Sequence, residues 1–374
     1  MTRILSSDIL IIDANIKLAE SPAMQALVDK YDLKPGGKFP LDKAKFDEFS
    51  RAMVGSPVTF TPGGSSANTL TTLRKLLGDE LDVDFYGVTG QSSYSNMIRG
   101  GLDEAGVKLL PKELPPEPRS ESAFSFVLRY PNGQRTIATY PGNAREVLKS
   151  ELIQNENVEK SDIIFVQGSL WQKLDEDFAN KLLRLRWEQD KELWLAMPTH
   201  TKFGEERADQ FQYLIPSANL VLGNDEELAR VYKTTPEDAL AKLQATFKDN
   251  DAFTPAGKKK PKQVGFITMG KDGAAVVTED EIIRVPMADI NTSEVKNTVG
   301  AGDTAFAGFA LGYLKGLSHE ASAKMAMVLA GEKVKINTAR LPDPKQTLKE
   351  AMPTMHKELF AEPAKKGSAQ STHM

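Results

Sequence analysis

The sequence has no cysteine and only four histidines in 374 residues. The absence of cysteine excludes disulfides, thiolate zinc sites and cysteine nucleophiles. The histidines His200, His319, His356 and His373 do not show metal-ligand spacing with one another. Neither cysteine chemistry nor a histidine metal cluster is therefore expected.

Long apolar runs and strong charge imbalance are also missing. No stretch approaches eighteen apolar residues, so no membrane-spanning helix is expected. The apolar N-terminal run is broken by Asp8 and Asp13, which argues against a signal peptide and favours a cytoplasmic protein. A net charge of −4 gives no reason to expect nucleic acid or an anionic membrane as a partner.

Short apolar runs alternate with helical patterns through the middle of the chain. The predicted strands are residues 162–167, 192–197, 219–222, 264–268 and 274–278. The predicted helices around and between them are residues 175–190, 204–214, 224–233 and 236–247. This alternation predicts an α/β fold, a Rossmann-like three-layer αβα arrangement around a mainly parallel sheet. Ligands of such sheets bind outside the carboxyl ends of the strands.

The strongest functional signal is a glycine-rich turn before a helix, Gly300-Ala301-Gly302-Asp303. Apolar residues at helical spacing from Phe306 to Leu314 predict the helix. A helix N-terminus attracts anions because its N–H groups are unpaired and its dipole is positive there. A carboxylate at that end would repel a phosphate unless it takes the proton from a hydroxyl that attacks the phosphate. The run therefore suggests a kinase.

Other interpretations of this turn stay open on the residues alone. Asp303 is also the type of residue that stabilises a helix dipole, and the glycines could serve only a tight turn. A dinucleotide-binding fingerprint fits formally, but it needs a strand before Gly300, and residues 291–299 are mostly polar.

A second glycine motif, at residues 265–272, is one residue short of a P-loop. Asp272 replaces the Ser or Thr that would hold Mg²⁺, and residues 274–278 predict a strand where the P-loop needs a helix. The P-loop interpretation is therefore rejected.

Residues 119–141 have the pattern of a β-hairpin around an Asn-Gly turn. Together with residues 15–62 they predict a small β-rich lid, which would exclude water during phosphoryl transfer. The alternative is an edge hairpin that extends the main sheet. The predicted organisation is a domain over residues 1–345, including this lid, followed by a C-terminal helix and flexible tail over 346–374.

Gly63-Gly64-Ser65 opens another predicted helix, with Ser65 as its expected N-cap. Two glycines let the backbone approach a ligand, and Asn68 can donate to and accept from sugar hydroxyls. Taken alone, this is an ordinary helix cap.

Asn224 and Glu227 follow the strand predicted at 219–222, at its carboxyl end. Asn224 is a fair helix N-cap in its own right. At i, i+3 the two side chains would share one helix face and could hold a hydrated Mg²⁺, which prefers oxygen ligands.

The order and spacing of these signals resemble the ribokinase-like (PfkB) carbohydrate kinase family over about residues 8–345. Gln134-Arg135-Thr136 and Thr268-x-Gly270 contribute to the resemblance. Residues 29–35 and Arg135–Tyr140 are most similar to the adenosine kinase and adenosine-kinase-like sugar kinase branch.

The resemblance implies ATP-dependent phosphorylation of a hydroxymethyl group on a sugar or nucleoside, with Mg²⁺ and with K⁺ left open. Asp303 would be the general base, and Gly300, Ala301 and Gly302 would form an anion hole closed by Arg135. Gly63, Gly64, Asn68 and Asp303 would bind the acceptor. Nucleotide-binding residues would be Asn224, Thr268, Gly270, Gly302 and Asn337, and Asn224 and Glu227 would hold the metal through water. A monomer or homodimer acting on a small molecule, without nucleic acid or membrane, is implied.

The acceptor is the open question. In the adenosine kinase branch an Asp thirteen residues before the tyrosine of Asp-Lys-Tyr grips the ribose, and the same count from Tyr31 ends on Leu18. Asp8 or Asp13 would take that part if the alignment shifts. The alternatives are a hexose or keto-sugar-acid kinase, or a catalytically silent member that binds or regulates.

Overall fold

The computed structural model describes residues 1–111, 121–132, 134–143, 155–168, 184, 186–198, 208–249 and 254–361. These residues form two β-sheets and their covering helices. The strands are β1 (Thr2–Ser7), β2 (Ile11–Lys17), β3 (Lys38–Pro40), β4 (Val58–Gly63), β5 (Leu81–Tyr86), β6 (Val107–Leu110), β7 (Ala123–Arg129), β8 (Arg135–Tyr140), β9 (Ile163–Gln167), β10 (Glu192–Ala196), β11 (Leu220–Asn224), β12 (Val264–Thr268), β13 (Ala274–Val277) and β14 (Ile282–Val285).

The α-helices that the described residues form are listed here in chain order. They are α1 (Pro22–Lys30), α2 (Lys43–Met53), α3 (Ser65–Leu77), α4 (Ser93–Glu104), α5 (Asn155–Lys160), α6 (Ala208–Leu214), α7 (Asp225–Tyr232), α8 (Pro236–Lys248), α9 (Ala301–Leu314), α10 (His319–Val334), α11 (Pro344–Ala351) and α12 (Pro353–Phe360).

Nine strands build the large sheet in the order β14-β13-β12-β11-β10-β9-β1-β5-β6. The strands from β12 to β6 run parallel, and β13 and β14 add an antiparallel edge. Both faces are buried in apolar cores: Ile4 and Phe165 face the side of α3 and α9, while Leu5 and Ile164 face the side of α7 and α8. The predicted three-layer α/β fold is confirmed.

The predicted strands correspond to β9 to β13, with ends that differ by one or two residues. The central strands β1 and β5 are missing from the prediction. Asp82 and Asp84 interrupt the apolar run of β5, although Asp84 is buried in the structure. The helix predicted at 175–190 lies largely outside the described residues.

Five strands form the small sheet in the order β3-β8-β7-β2-β4. The hairpin strands β7 and β8 pair here, so the alternative of an edge hairpin on the main sheet is wrong. One face of this sheet packs against α1 and α2, through contacts such as Phe126 with Phe49 at 5.4 Å between ring centroids. Because side chains alternate along a strand, Asp13 and Arg135 belong to the opposite face.

Helix α9 runs through the middle of the molecule. Its residues from Thr304 to Gly312 are all buried, so the helix is covered on every side and not only along the predicted stripe. Phe309 stacks on Phe266 of β12 with 4.3 Å between the ring centroids. Full burial of such a ring contributes about 2 to 3 kcal/mol. This packing holds the first turn of α9 against the carboxyl ends of the strands.

Neither alternative glycine motif has the fold that it would need. Gly270–Asp272 forms a turn between the antiparallel strands β12 and β13. Residues 291–299 contain only the short helical turn Thr292–Glu294, with no strand before Gly300. Both the P-loop and the dinucleotide fingerprint are therefore excluded.

Helices α11 and α12 follow residue 343, and the tail predicted beyond them lies mostly outside the described residues. Among the residues that are described, no helix is long and apolar enough to cross a membrane.

Candidate active site

Asp303 stands in the first turn of α9 and contacts the first turn of α3. Its Oδ1 accepts a hydrogen bond from the Ser65 hydroxyl at 2.6 Å, and its Oδ2 accepts one from the Asn68 amide at 2.8 Å. The two glycine motifs, 238 residues apart at Ser65 and Asp303, therefore meet at a single carboxylate.

The surroundings of Asp303 suit a general base. Burial raises the pKa of this carboxyl group above the ordinary value, while the bonds from Ser65 and Asn68 and the charges of Arg340 and Lys333 lower it. A raised pKa brings a carboxylate closer to the operating pH, which favours proton transfer from a hydroxyl.

Gly300 shapes the turn before α9. Its φ is +78°, and a Cβ at this position would lie 1.9 Å from the Ala339 carbonyl oxygen, so only glycine fits. No side chain caps the helix. The Ala301 N–H points to the Thr298 oxygen at 3.3 Å, which leaves the following first-turn N–H groups for an anion.

Ser65 is not the N-cap of α3, contrary to the prediction. The helix begins at Ser65, and its N-cap is Gly64, which has φ +105°. A Cβ on Gly64 would lie 2.8 Å from the Ile9 carbonyl oxygen, so a serine could not take its place without a shift. The Ser65 hydroxyl therefore serves Asp303 and not its own helix.

Asp13 adds a second acid to this end of the cleft. It lies on β2 beside Gly63 of β4, where a Cβ would be 2.6 Å from the Asp13 Oδ2. Burial and the charge of Asp303 raise the pKa of Asp13 to about 7, against the opposing charges of Arg340 and Arg135. The two carboxyl groups therefore disfavour each other's ionisation.

The structure places Leu18, the residue at the count made from Tyr31, in the interior. Leu18 is 2% exposed and belongs to the apolar core. Asp8 is also buried, and its Oδ2 accepts from the Ser66 N–H at the start of α3. The charge of Asp13 interacts with that of Asp303.

Arg340 is bonded to the same network. Its Nε donates to the Asn68 Oδ1 at 2.7 Å, which turns the Asn68 amide nitrogen toward Asp303. Burial lowers the pKa of Arg340 to about 10, against the charges of Asp303 and Asp13, so the guanidinium stays charged at neutral pH. This charge makes ionisation of both acids less costly.

Asn224 and Glu227 lie together, as their spacing predicted, and they cap α7 reciprocally. The Asn224 Oδ1 accepts from the Glu227 N–H at 2.8 Å, and the Glu227 Oε2 accepts from the Asn224 N–H at 3.1 Å. Burial raises the pKa of Glu227 to about 7. A nearby cation would therefore stabilise its ionised form.

The donor set fits a hydrated Mg²⁺ ion. The described residues contain no group of three or more acidic, histidine or cysteine side chains that could hold a metal alone. Mg²⁺ commonly keeps several waters and binds one or two carboxylates together with substrate phosphates. Glu227 offers one carboxylate and Asn224 one amide oxygen, and Asn224 also lines the adjoining cavity.

A cavity of about 750 Å³ lies between the ends of β11 and β12 and the start of α9. The predicted residues that line it are Asn224, Thr268, Gly270, Gly302, Ala301 and Arg135. Asn337 lies outside this lining; it is exposed, and its carbonyl oxygen accepts from the Asn297 Nδ2 at 2.6 Å. The size is that of a small-molecule or cofactor pocket.

Arg135 joins the small sheet to the turn before α9. Its Nη1 donates to the Thr298 hydroxyl. Arg129 stands directly opposite on β7, with its Nη2 bonded to the Asn15 Oδ1 at 3.1 Å. Two like charges directly opposite each other on a sheet repel and destabilise it. An anion bound between Arg129 and Arg135 would relieve this repulsion.

Asp13, Lys333 and Arg340 are charged residues of this region, and they differ in how far the sequence pattern could have revealed them. The alternation of apolar and polar residues in Ile11–Lys17 could have predicted that Asp13 lies on the face of β2 away from the apolar core. Lys333 follows an apolar helical stretch, where a lysine is unusual. Arg340 lies in a loop, and no local pattern reveals it.

The sequence matches a known protein family. Residues 39–346 match the pfkB family carbohydrate kinase pattern. The chain belongs to the pfkB family of carbohydrate kinases. Family membership implies a kinase that uses ATP with a divalent metal.

Individual relatives are distant in sequence. An adenosine kinase of Schizosaccharomyces pombe is 24% identical over 334 residues, 86% of this chain and 92% of that protein. A ribokinase of Bacillus subtilis is 23% identical and covers 73% of this chain and 81% of its own length. The crystal structure of an adenosine kinase from Sinorhizobium meliloti superimposes with a TM-score of 0.76 at 20% identity, over 94% of this chain and 99% of that one. The structural likeness shows the shared fold.

Proposed function

We propose that the chain transfers the γ-phosphoryl group of ATP to a hydroxymethyl group of a nucleoside or furanose sugar, with Asp303 as general base. The observation that carries the proposal is the convergence of Asp303, Ser65 and Asn68 beside an uncapped helix N-terminus. A base and an anion site lie next to each other, which in-line phosphoryl transfer requires.

In this mechanism Asp303 accepts the proton of the acceptor hydroxyl as the oxygen attacks phosphorus. Ser65 and Asn68 hold the carboxylate in position through their hydrogen bonds. The first-turn N–H groups after Gly300 bind the transferred phosphoryl oxygens. Arg135 adds positive charge from the small sheet. ATP would supply the phosphoryl group and leave as ADP, and Mg²⁺ held through Glu227 and Asn224 would neutralise phosphate charge.

The small sheet is proposed to act as a lid. Arg135 and Asp13 belong to its cleft face and both interact with elements around α9. A cover that carries both a phosphate-binding cation and an acceptor-binding acid would exclude water only when both substrates are bound.

Asp13 supports a polyhydroxylated acceptor. The Asp13 carboxylate, which fits against Gly63 because that residue has no Cβ, can accept hydrogen bonds from two neighbouring sugar hydroxyls. If Asp13 binds the acceptor, Leu18 does not argue against a ribose-like acceptor. The nucleoside and the furanose remain the two acceptor classes to compare.

Replacing Asp303 by Asn tests the role of the base. Loss of a positioned general base should lower kcat by about 10²- to 10⁴-fold. The ATP dissociation constant should change little, because the helix N-terminus that binds phosphate stays in place. The control is Asp103→Asn, at an exposed acid on α4. Unchanged turnover in Asp303→Asn would refute the proposed role.

The acceptor is found by measuring ADP release with adenosine, other nucleosides, ribose, fructose and a keto-sugar acid. The proposal expects the highest kcat/KM for an acceptor with a ribose-like pair of hydroxyls, and Asp13→Asn should lower that value most. Turnover restricted to a hexose or a sugar acid would contradict it. Binding of a sugar without turnover would favour a silent binding protein.

A further inference from the structure

Lys333 is a fully buried lysine near the end of α10, with 0% exposure. Its Nζ donates to the Asn297 carbonyl oxygen at 2.7 Å. Burying an ammonium group is costly unless its charge is compensated, and no carboxylate lies within salt-bridge distance of it among the described residues. Burial therefore disfavours the ammonium form of Lys333 unless negative charge lies nearby.

The position of Lys333 is informative because Asn297 begins the turn that leads to Gly300. The Asn297 Oδ1 accepts from the Val299 N–H at 2.9 Å, and its Nδ2 donates to the Asn337 oxygen at 2.6 Å. Asn297 thus links three segments: the end of α10, the loop after it, and the turn before α9. The ammonium group fixes this link at the Asn297 carbonyl.

The charges around Lys333 are mainly those of the reaction site. Its pKa is lowered to about 7 by burial and by the charges of Arg135 and Arg129, and Asp303 opposes this. A phosphoryl group at the start of α9 would add negative charge close to the same groups. The ammonium form would then become more favourable.

We propose that the buried ammonium group of Lys333 takes the place of a bound monovalent cation beside the anion hole. It holds the turn from Asn297 to Gly302 and offsets charge that develops on the transferred phosphoryl group. This inference rests on the proposed kinase function. Lys333 is a positioning residue, since it acts through the turn and does not contact the reacting atoms. A small monovalent cation binds carbonyl oxygens as an ammonium group does. Because Lys333 already supplies that group, the wild-type chain should need no added monovalent cation for activity.

Two substitutions separate charge from packing. Lys333→Ala removes the ammonium group and leaves space in which a small cation could bind the Asn297 carbonyl. Lys333→Met removes the charge but fills most of the space. Lys335→Met is the matched control, because Lys335 lies two residues further on and pairs with Glu332 and Glu294 near the surface.

Activity is measured in potassium, ammonium or tetramethylammonium chloride at equal ionic strength. Wild type and Lys335→Met should have the same kcat in all three salts. Lys333→Ala should lose about 100-fold in kcat, the lower end of the loss seen when one oxyanion-hole donor is removed, with a smaller change in the acceptor KM. Relative to tetramethylammonium, ammonium or potassium should raise the kcat of Lys333→Ala at least 10-fold and that of Lys333→Met less than 2-fold.

The thermal midpoint of each variant in the three salts gives a readout that does not depend on turnover. Ammonium or potassium should raise the midpoint of Lys333→Ala relative to tetramethylammonium, and should not do so for wild type or Lys333→Met. If wild type turns over no acceptor, the kinase proposal fails while this measurement still tests the cation site. Potassium dependence of the wild type, wild-type kcat in both Lys333 variants, or the absence of any ion effect on Lys333→Ala would overturn the inference.

Discussion

The substitution Gly300→Ala tests the turn that forms the anion hole. The added methyl carbon would lie 1.9 Å from the Ala339 carbonyl oxygen, and the residue would keep φ near +78°. A non-glycine residue in the left-handed region costs about 1 to 2 kcal/mol, and forcing extra volume into a packed site costs about 1 to 3 kcal/mol. The free energy of unfolding should therefore fall by about 2 to 5 kcal/mol.

Gly302→Ala is the matched control for the same motif. No heavy atom lies within 4 Å of a Cβ built on Gly302, and this residue lines the cavity. Alanine is favoured over glycine inside a helix by about 1 kcal/mol, so stability should stay the same or rise by up to that amount. Its methyl group would stand where the phosphoryl group approaches, so kcat/KM for ATP should fall while the fold is kept.

Urea unfolding followed by circular dichroism, together with ADP release, distinguishes the two variants. The expected pattern is a large stability loss for Gly300→Ala and an activity loss without a stability loss for Gly302→Ala. Wild-type stability in Gly300→Ala would refute the argument that the contact with Ala339 requires glycine. Full activity in Gly302→Ala would refute the position assigned to the phosphoryl group.

Four further outcomes are expected. The folded-state pKa of Asp13, about 7, lies above the value near 4 of an unfolded aspartate. The contribution of Asp13 to the free energy of unfolding should therefore be lost as pH rises from 4 through 7. The stability-pH curve of Asp13→Asn should lack that decline. The acceptor KM of wild type should rise as pH falls below 7, because protonated Asp13 accepts fewer hydrogen bonds, and Asp13→Asn should show a flat profile. Glu227→Gln should raise the Mg²⁺ concentration needed for half-maximal activity by about 10-fold, the lower end of what altered metal-site partners cost, as measured by magnesium titration. Arg340→Gln should move the acidic limb of the kcat/KM profile to higher pH, since the lost charge favours ionised Asp303, whereas Arg340→Lys should leave the limb in place.

The sequence alone predicted the layers of the fold because periodicity and turn residues are local properties. The strands from β9 to β13 are apolar runs that both faces of a parallel sheet require. It did not predict β5, whose buried Asp84 breaks the apolar pattern. Whether the hairpin of β7 and β8 joined the main sheet was also not decidable locally, since strand pairing depends on distant partners.

The candidate site divides in the same way. The motif around Gly300 and Asp303 could be recognised from sequence because a glycine turn, a helix start and an acid stand next to one another. The tertiary structure decided the contact of Asp303 with Ser65 and Asn68, the position of Asp13 beside Gly63, and the bond from Arg340 to Asn68. Hydrogen bonds and charge interactions act over a few ångströms in space, and the packing of α9 against α3 and the small sheet sets which distant residues come within that range.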